Sequence, residues 1–481
     1  MKRQLSTKCI FTVAFKEEID CDWFKQRQIP IITWKSIQSE GFDSIPDSQF
    51  LVIITGMGED NSTACASFIN THLSPYFVIN IGTCGSNTEQ LPLHQWVIPD
   101  ILSSNGYQDI TLTIPSTLFD DTLRDNIQLW TISKDHLHDH QYDAQDMEAY
   151  FQAKVFKETN CSFFCLKFIT DQFSVPDIKT FKEQLHLCRK TLPSLLSWID
   201  RQLTAADIAV IIPAYNRDQH ISKAIQSVLN QTQLPGEIIV VDDGSSDNTV
   251  AIIKERFPSV KLIQNKNNQG VSASRNLGVS STQLPWIAFL DSDDEWLPSK
   301  LEDQCLYLNQ HPIFQIVQSN EKWIYNGKHK NQKDYHQKSD GWIWDVSLDR
   351  CMISPSSVLM KRSLFNYYGG FNIHFLACED YDLWLKIARE HPVGLENTIN
   401  LIKYGGHSDQ LSVVVPALDR FRVDSLFSLY KPDDHSPFQI KLQQILIQKI
   451  DILINGLLKR GRSEQALYYR NLRSQVTVLV H

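Results

Sequence analysis

Short, unbroken apolar runs recur along the chain, each closed by glycines, acids or other turn formers. Three lie in the second half: Ile208-Ala209-Val210-Ile211-Ile212, Ile238-Ile239-Val240-Val241 and Trp286-Ile287-Ala288-Phe289-Leu290. They are largely β-branched or aromatic, which is how a strand buried on both faces of a parallel sheet reads. Helical spacing fills the gaps, as at 220–229. Strand, helix and strand in alternation predict a doubly wound α/β sheet, whose ligands sit beyond the carboxyl ends of its strands.

The first half repeats the pattern, with apolar runs at 9–15, 50–55, 77–81 and 163–169 and helical stretches at 62–72 and 144–157. It is long enough to form an α/β domain of its own. Further helices are expected at 178–187 and 194–203, with Pro193 placed to start the second. Residues 200–207 then read as a short linker. Later, 298–310 reads as a helix, 315–325 as a strand and Asn326-Gly327 as a hairpin turn. Beyond 411, apolar residues at three and four spacing predict helices over 419–430, 438–458 and 463–478. The expected organisation is two α/β domains, 1–200 and 206–412, followed by a helical extension over 413–481.

Composition narrows the function classes. A chain of 481 residues suits two or three domains at roughly 150 residues each. The net charge of −9 leaves no basic excess to neutralise phosphates, which excludes a general nucleic-acid binder. The ten cysteines contain no Cys-x-x-Cys pair, so even the neighbours Cys161 and Cys165 are expected to be buried thiols. Lys2-Arg3 before the run at 9–15 imitates a secretory leader. Lys16-Glu17-Glu18 stands where a small-residue cleavage site belongs, so a first buried strand is the expectation. No run approaches the roughly 20 apolar residues of a membrane-spanning helix. A cytoplasmic location follows as an expectation. Lys459, Arg460 and Arg462 around Gly461 suit a helix end, with peripheral contact at the inner membrane face as a second use.

Candidate chemistry gathers where the later runs stop, at Asp242-Asp243-Gly244-Ser245 and Asp291-Ser292-Asp293-Asp294. Carboxylates crowded at one sheet edge repel unless a cation is shared, so a divalent metal and a phosphate-bearing ligand are expected. Pro213-Ala214-Tyr215-Asn216-Arg217, Gly270-Val271-Ser272-Ala273-Ser274-Arg275-Asn276, Glu379-Asp380-Tyr381-Asp382-Leu383-Trp384 and Gly405-Gly406-His407 flank these turns. In that order, over 206–412, they resemble the family-2 glycosyltransferases of GT-A, Rossmann-like fold. The resemblance implies inverting sugar transfer from a nucleotide-diphosphate sugar, UDP-linked, with Mg²⁺ or Mn²⁺. It implies Asp293 as metal ligand with His407 completing the site, and Asp291 on the nucleotide or donor sugar. It implies Asp243 on the uracil edge, Pro213, Ala214 and Tyr215 lining that pocket, and Arg275 steadying the nucleotide. Asp380 is the expected general base, with Glu379 and Asp382 as rivals. The acceptor, a glycan, lipid or small molecule, is expected on the half after 298, where 352–357 resembles the family's strand leading into a short helix. Trp342, Trp344, Tyr367 and Tyr368 lie there too, most of them expected in the core rather than on a sugar.

In the first domain two glycine turns follow strands, Thr55-Gly56-Met57-Gly58 and Ile81-Gly82-Thr83-Cys84-Gly85-Ser86. Such turns let a backbone approach a ligand. Three acids accompany them: Glu18 after the first run, Glu148 beside Met147, and Asp171 after Thr170. Together they resemble the nucleoside phosphorylase superfamily, nearest its methylthioadenosine/S-adenosylhomocysteine nucleosidases. The resemblance implies Glu18 activating water, Met147 and Glu148 with Thr83 holding the nucleoside, and Asp171 protonating a leaving purine. Thr170 replaces the family's usual serine, His94-Gln95-Trp96 its usual Gly-Asp, and the stretch before Asp146 is short. An active nucleosidase and a non-catalytic nucleotide-binding or scaffold module both remain open.

Overall fold

In a computed structural model of the protein, the described residues are 7–86, 91, 93, 95–104, 108–112, 128–131, 144–146, 148–157, 159, 161–172, 178–406, 415, 417–434 and 436–477. The chain divides into two compact units, Met1–Arg201 and Gln202–His481.

The first unit is built on a sheet of β1 (Cys9–Val13), β2 (Ile31–Thr33), β3 (Phe50–Ile54), β4 (Phe77–Ser86), β5 (Trp96–Val97), β6 (Ile101–Ser103), β7 (Ile110–Thr111), β8 (Gln128–Thr131), β9 (Ala144–Asp146) and β10 (Ser162–Gln172). At its centre β2, β3, β1, β4 and β10 run parallel. Every residue of β1 is buried, as an unbroken apolar strand between two neighbours must be. The chain leaves β1 for β2 and β3 on one side, then returns to its other side as β4. That reversal opens a crevice at the carboxyl ends of β1 and β4.

Three local expectations are corrected here. Residues 144–146 are a strand, not helix, because Ala144 and Gln145 pair with Ser86 and Gly85 of β4. The helix starts only at Ala149, where the Ala149 N–H donates to Asp146 Oδ2 at 3.0 Å. The helix expected from residue 62 begins at Glu59, straight after Gly58 (φ 91°), with Glu59 and Asp60 suited to its positive end. The expected pair of helices around Pro193 is one helix, Ile178–Leu195, followed by a 3₁₀ turn, Ser197–Asp200. A proline in the last turn removes little of the helical ladder, while Leu185, Cys188, Leu192 and Leu196 keep one face buried. Cys161 and Cys165 are buried free thiols, as expected.

The second unit contains β11 (Ile208–Ala214), β12 (Glu237–Asp242), β13 (Lys261–Gln264), β14 (Trp286–Phe289), β15 (Glu295–Trp296), β16 (Ile316–Tyr325), β17 (Lys328–Lys330), β18 (Val358–Lys361) and β19 (Gly394–Gly405). Strands β13, β12, β11 and β14 are parallel, crossed by helices Ile221–Leu229, Thr249–Arg256 and Val271–Ser280. Gly278 lets the last helix lie close on the sheet, since a Cβ there would stand 2.5 Å from Ile211 Cγ2. Here too the chain reverses around its first strand, with β12 and β14 on opposite sides of β11. Beyond β14 the sheet is mixed: β18 is antiparallel to β14 and β16, while β19 is parallel to β16. Asn326 and Gly327, both at positive φ, turn β16 into β17. At 352–357 the expected order is inverted. A 3₁₀ turn, Pro355–Ser357, precedes β18, and Pro355 sits at its start, where no ladder donor is needed.

Helix Glu379–Glu390 is held between two apolar clusters. Leu383, Trp384 and Ile387 join the sheet core, whereas Tyr381 and Leu385 pack with Val423, Leu442, Leu446 and Ile450 of the terminal helices. Those helices are Asp419–Leu429, Pro437–Lys459 and Ser463–Thr477. Among the described residues no helix is long and apolar enough to cross a membrane.

Candidate active sites

In the second unit the loops after β11 and β12 are laced together by their own polar side chains. Asn216 N–H donates to Ser245 Oγ at 2.9 Å, Ser246 N–H to Asn216 Oδ1 at 2.9 Å, and Arg217 N–H to Thr249 Oγ1 at 2.7 Å. Pro213 and Ala214 are buried at the strand end, and Tyr215 is exposed. Asp243, expected at the uracil edge, is buried and has local partners as well. Its carboxylate already accepts from Asn265 Nδ2 at 2.8 Å, Gln269 N–H at 3.0 Å and Gly270 N–H at 2.8 Å. It pins the loop that leads into helix Val271–Ser280.

Arg275, on that helix, is 3% exposed and joins the two acidic motifs. One guanidinium nitrogen reaches Asp291 Oδ1 at 2.6 Å and another reaches Glu379 Oε1 at 2.7 Å. Burial opposes this charge, but the two carboxylates hold the guanidinium above its ordinary range. Burial raises the Asp291 carboxyl, yet Arg275 and Lys403 bring it below the usual range. Asp293 keeps a carboxylate with no side-chain partner among the described residues. Burial and then the Asp291 charge raise it, against Arg217 and Lys403. Hard oxygen donors with an uncompensated charge fit a divalent cation at Asp293. Among the described residues no cluster of three or more His, Cys, Asp or Glu forms such a site alone, and His407 lies outside them.

Asp294 is buried beneath this loop, accepting from Ser356 Oγ at 2.7 Å and Tyr404 N–H at 3.2 Å. The Asp291 N–H donates to the same Ser356 Oγ at 3.0 Å. In the late acidic motif the three carboxylates have different partners. Glu379 holds Arg275. Asp382, 1% exposed, accepts from Lys386 Nζ at 2.6 Å and Ser425 Oγ at 2.8 Å. Asp380 is half-buried and accepts from its neighbour's N–H at 2.7 Å and from Cys351 Sγ at 3.5 Å. Cys378, at φ 62°, gives this helix a left-handed entry, a strain of about 1 kcal/mol for a non-glycine residue. Of the aromatics, Trp344 is buried and the Tyr368 hydroxyl donates to Glu390 at 2.7 Å, while Tyr367 is exposed.

In the first unit, Glu18 follows β1 and is 3% exposed. Its carboxylate accepts from the N–H of Phe15 at 3.0 Å and of Thr83 at 3.1 Å. Thr83 therefore holds Glu18 in the first instance. Lys167 of β10 lies beside it: a Cβ on Gly82 would stand 3.2 Å from both Glu18 Oε1 and Lys167 Nζ. Lys167 pairs with Asp146 at 2.7 Å, both side chains essentially buried. Glu148 accepts weakly from Gly58 N–H at 3.5 Å. Burial first, then Asp146, raises its carboxyl to about 7, against Lys167. Burial also raises Glu18, opposed by backbone N–H groups and Lys167. Met147 lies outside the described residues, as does His94, and of Asp171 only the main chain is described. That main chain sits beside Gly85, just past a register shift at Thr170.

Lys167, Asp146, Lys403, Asp294 and Ser356 were not singled out from sequence. The signal for Lys167 was present: it is the one charge in the apolar run 163–169, where lysine is rarely placed unless paired or in use. Lys403 carries no such signal, since its strand also holds Glu396, Asn397 and Asn400.

Residues 209–368 match Glycosyl transferase family 2. A UDP-Glc:alpha-D-GlcNAc-diphosphoundecaprenol beta-1,3-glucosyltransferase of Escherichia coli is 34% identical over 191 residues, covering 40% of this chain and 73% of the relative. A chondroitin synthase of Escherichia coli is 27% identical over 225 residues, 45% of this chain and 32% of the relative. The solved structure of S. aureus TarS 1-349 in complex with UDP-GlcNAc shares 18% identity with a TM-score of 0.41, covering 50% of this chain and 71% of that one.

Proposed function

The chain belongs to glycosyl transferase family 2, and we propose that its second unit moves a sugar, with inversion, from a UDP-linked donor to an acceptor hydroxyl. The observation that carries the reading is the Arg275 bridge. It ties Asp291 to Glu379 and leaves Asp293 and Asp380 as the less committed carboxylates of the two motifs. Pro213, Ala214 and Tyr215 line the pocket for the base. Asp291, fixed by Arg275, faces the donor. Asp293, with His407, would hold Mg²⁺ or Mn²⁺, which when bound offsets charge on the departing diphosphate. Asp380 takes the acceptor proton as that oxygen bonds to the anomeric carbon, and the sugar–phosphate bond breaks with its electron pair leaving on the nucleotide. The Escherichia coli relative is named for a UDP-glucose donor and a lipid-diphosphate acceptor, which supports a UDP-linked donor here. A lipid-linked, glycan or small-molecule acceptor would suit the half after 298, and peripheral work at a membrane surface would follow from the first.

The test combines two variants of the full chain. Asp293→Ala should lose Mn²⁺-dependent UDP binding in calorimetry. Asp380→Asn should bind UDP normally yet release it from UDP-sugars roughly two to four orders of magnitude more slowly. Normal turnover in Asp380→Asn would sink its assignment as base.

A second reading concerns the first unit, because Glu18 and Glu148 are buried around one lysine at strand ends. It is hydrolysis of a purine nucleoside: Glu18 activates water for C1′, Glu148 holds the ribose hydroxyls, and Asp171 protonates the purine as the N-glycosidic bond breaks. Full-length protein incubated with methylthioadenosine, S-adenosylhomocysteine, adenosine or inosine should release free base, and Asp171→Asn should stop it. No release from any of the four would make a binding or scaffold module the better account.

A further inference from the structure

The ammonium of Lys403 stands within the field of both loops that the transfer needs. It lies on β19 opposite Trp323 of β16. One N–H donates to Ser354 Oγ at 3.2 Å, and no other acceptor among the described residues takes its remaining two donors. Burial opposes the charge, yet Asp294, Glu321, Asp291 and Asp380 together hold the ammonium above the ordinary lysine range. Those acids have donors of their own. Asp291 has Arg275, Asp294 has Ser356 and the Tyr404 N–H, Glu321 has Lys338 and the Trp323 indole, and Asp380 has Cys351 and a backbone N–H. Their field fixes the lysine's charge without occupying its hydrogen-bond donors.

A half-buried cation with spare donors, beside the Asp291 turn, is suited to phosphoryl oxygens, since charge-assisted bonds of this kind are the strong ones. The geometry points to Lys403 as a phosphate-binding residue of the donor site, its free N–H groups taking a non-bridging oxygen of the nucleotide-sugar diphosphate. The contact strengthens as the sugar–phosphate bond breaks and charge gathers on the leaving oxygens. This rests on the nucleotide-sugar reading above, and it assigns the charge compensation partly to the protein rather than wholly to a metal.

The test is calorimetry on the full chain with UDP and with uridine, each with and without Mn²⁺. Lys403→Met should weaken UDP about tenfold or more in both conditions. It should leave uridine within about twofold, and Lys403→Arg should keep most of the UDP affinity. Parent-like UDP affinity in Lys403→Met overturns the assignment, and so does an equal loss for uridine, which would mark a purely structural role. A parent that binds none of UDP, GDP and ADP overturns the donor reading and this inference with it. Should Lys403→Met not fold, the parent answers instead: UDP, but not uridine, should shield Lys403 from acetylation read by peptide mass spectrometry. Equal labelling with and without UDP overturns the proposal.

Discussion

Asp380 and Asp382 share one helix start, yet their surroundings differ. Asp382 is buried, and both its oxygens are taken, one by Ser425 and one by Lys386. Its loss would strand two donors, one of them charged, in a nearly closed space. Among the described residues Asp380 has only a neighbouring N–H and a weak thiol donor, in a half-buried position. Asp382→Ala should therefore lower stability by about 1–3 kcal/mol, the cost of orphaned buried partners. Asp380→Ala should stay within about 0.5 kcal/mol of the parent. Urea unfolding of the two variants reads the difference. Equal losses would mean that Asp380 is as structural as its neighbour and a poor choice of base.

At the scale of elements, legibility followed locality. The strands at 208–214, 237–242 and 286–289 were readable because a strand buried on both faces must be apolar throughout, whatever its neighbours. The acids at their ends were readable because turns after parallel strands face ligands. What the chain did not disclose depends on partners far away in sequence. The strand at 144–146 exists because β4 is there to pair with it, and its residues carry no strand pattern of their own. Arg275 read as a nucleotide contact because its family position suggests one. Its bond to Glu379 spans 104 residues and is invisible without the fold. The local partners of Asp243 are hidden in the same way, since the three donors its carboxylate accepts lie on a loop more than twenty residues on. Lys167 illustrates the limit from the other side. A charge inside an apolar strand announces that it is paired or used, but only the neighbouring strands say with what.

For the whole molecule, both units bury acids at the carboxyl ends of their central strands, so pH is a lever on the chain as well as on any reaction. Glu148 allows the sign to be worked out. Its carboxyl is raised to about 7 when folded, by burial and then Asp146, against about 4.3 in an unfolded chain. The groups facing it are Asp146, Lys167, Glu18 and the Gly58 N–H. Between those two values the folded state holds the proton more tightly than the unfolded one, so stability falls as pH rises. The penalty is absent below about pH 4, grows to about pH 7 and is constant above it. One pKa unit corresponds to about 1.4 kcal/mol, and sharing of charge within the cluster reduces the sum, so an effect of roughly 1–3 kcal/mol is expected. Glu148→Gln keeps the shape and removes the charge. It should raise the stability of the full chain at pH 8 by that amount and change it little at pH 4, as followed by thermal or denaturant unfolding at the two values. A gain of the same size at both pH values would show that packing, not the buried charge, was being altered. A loss at pH 8 would show that the ionised Glu148 stabilises the cluster through Lys167, and that the raised carboxyl is wrong in sign.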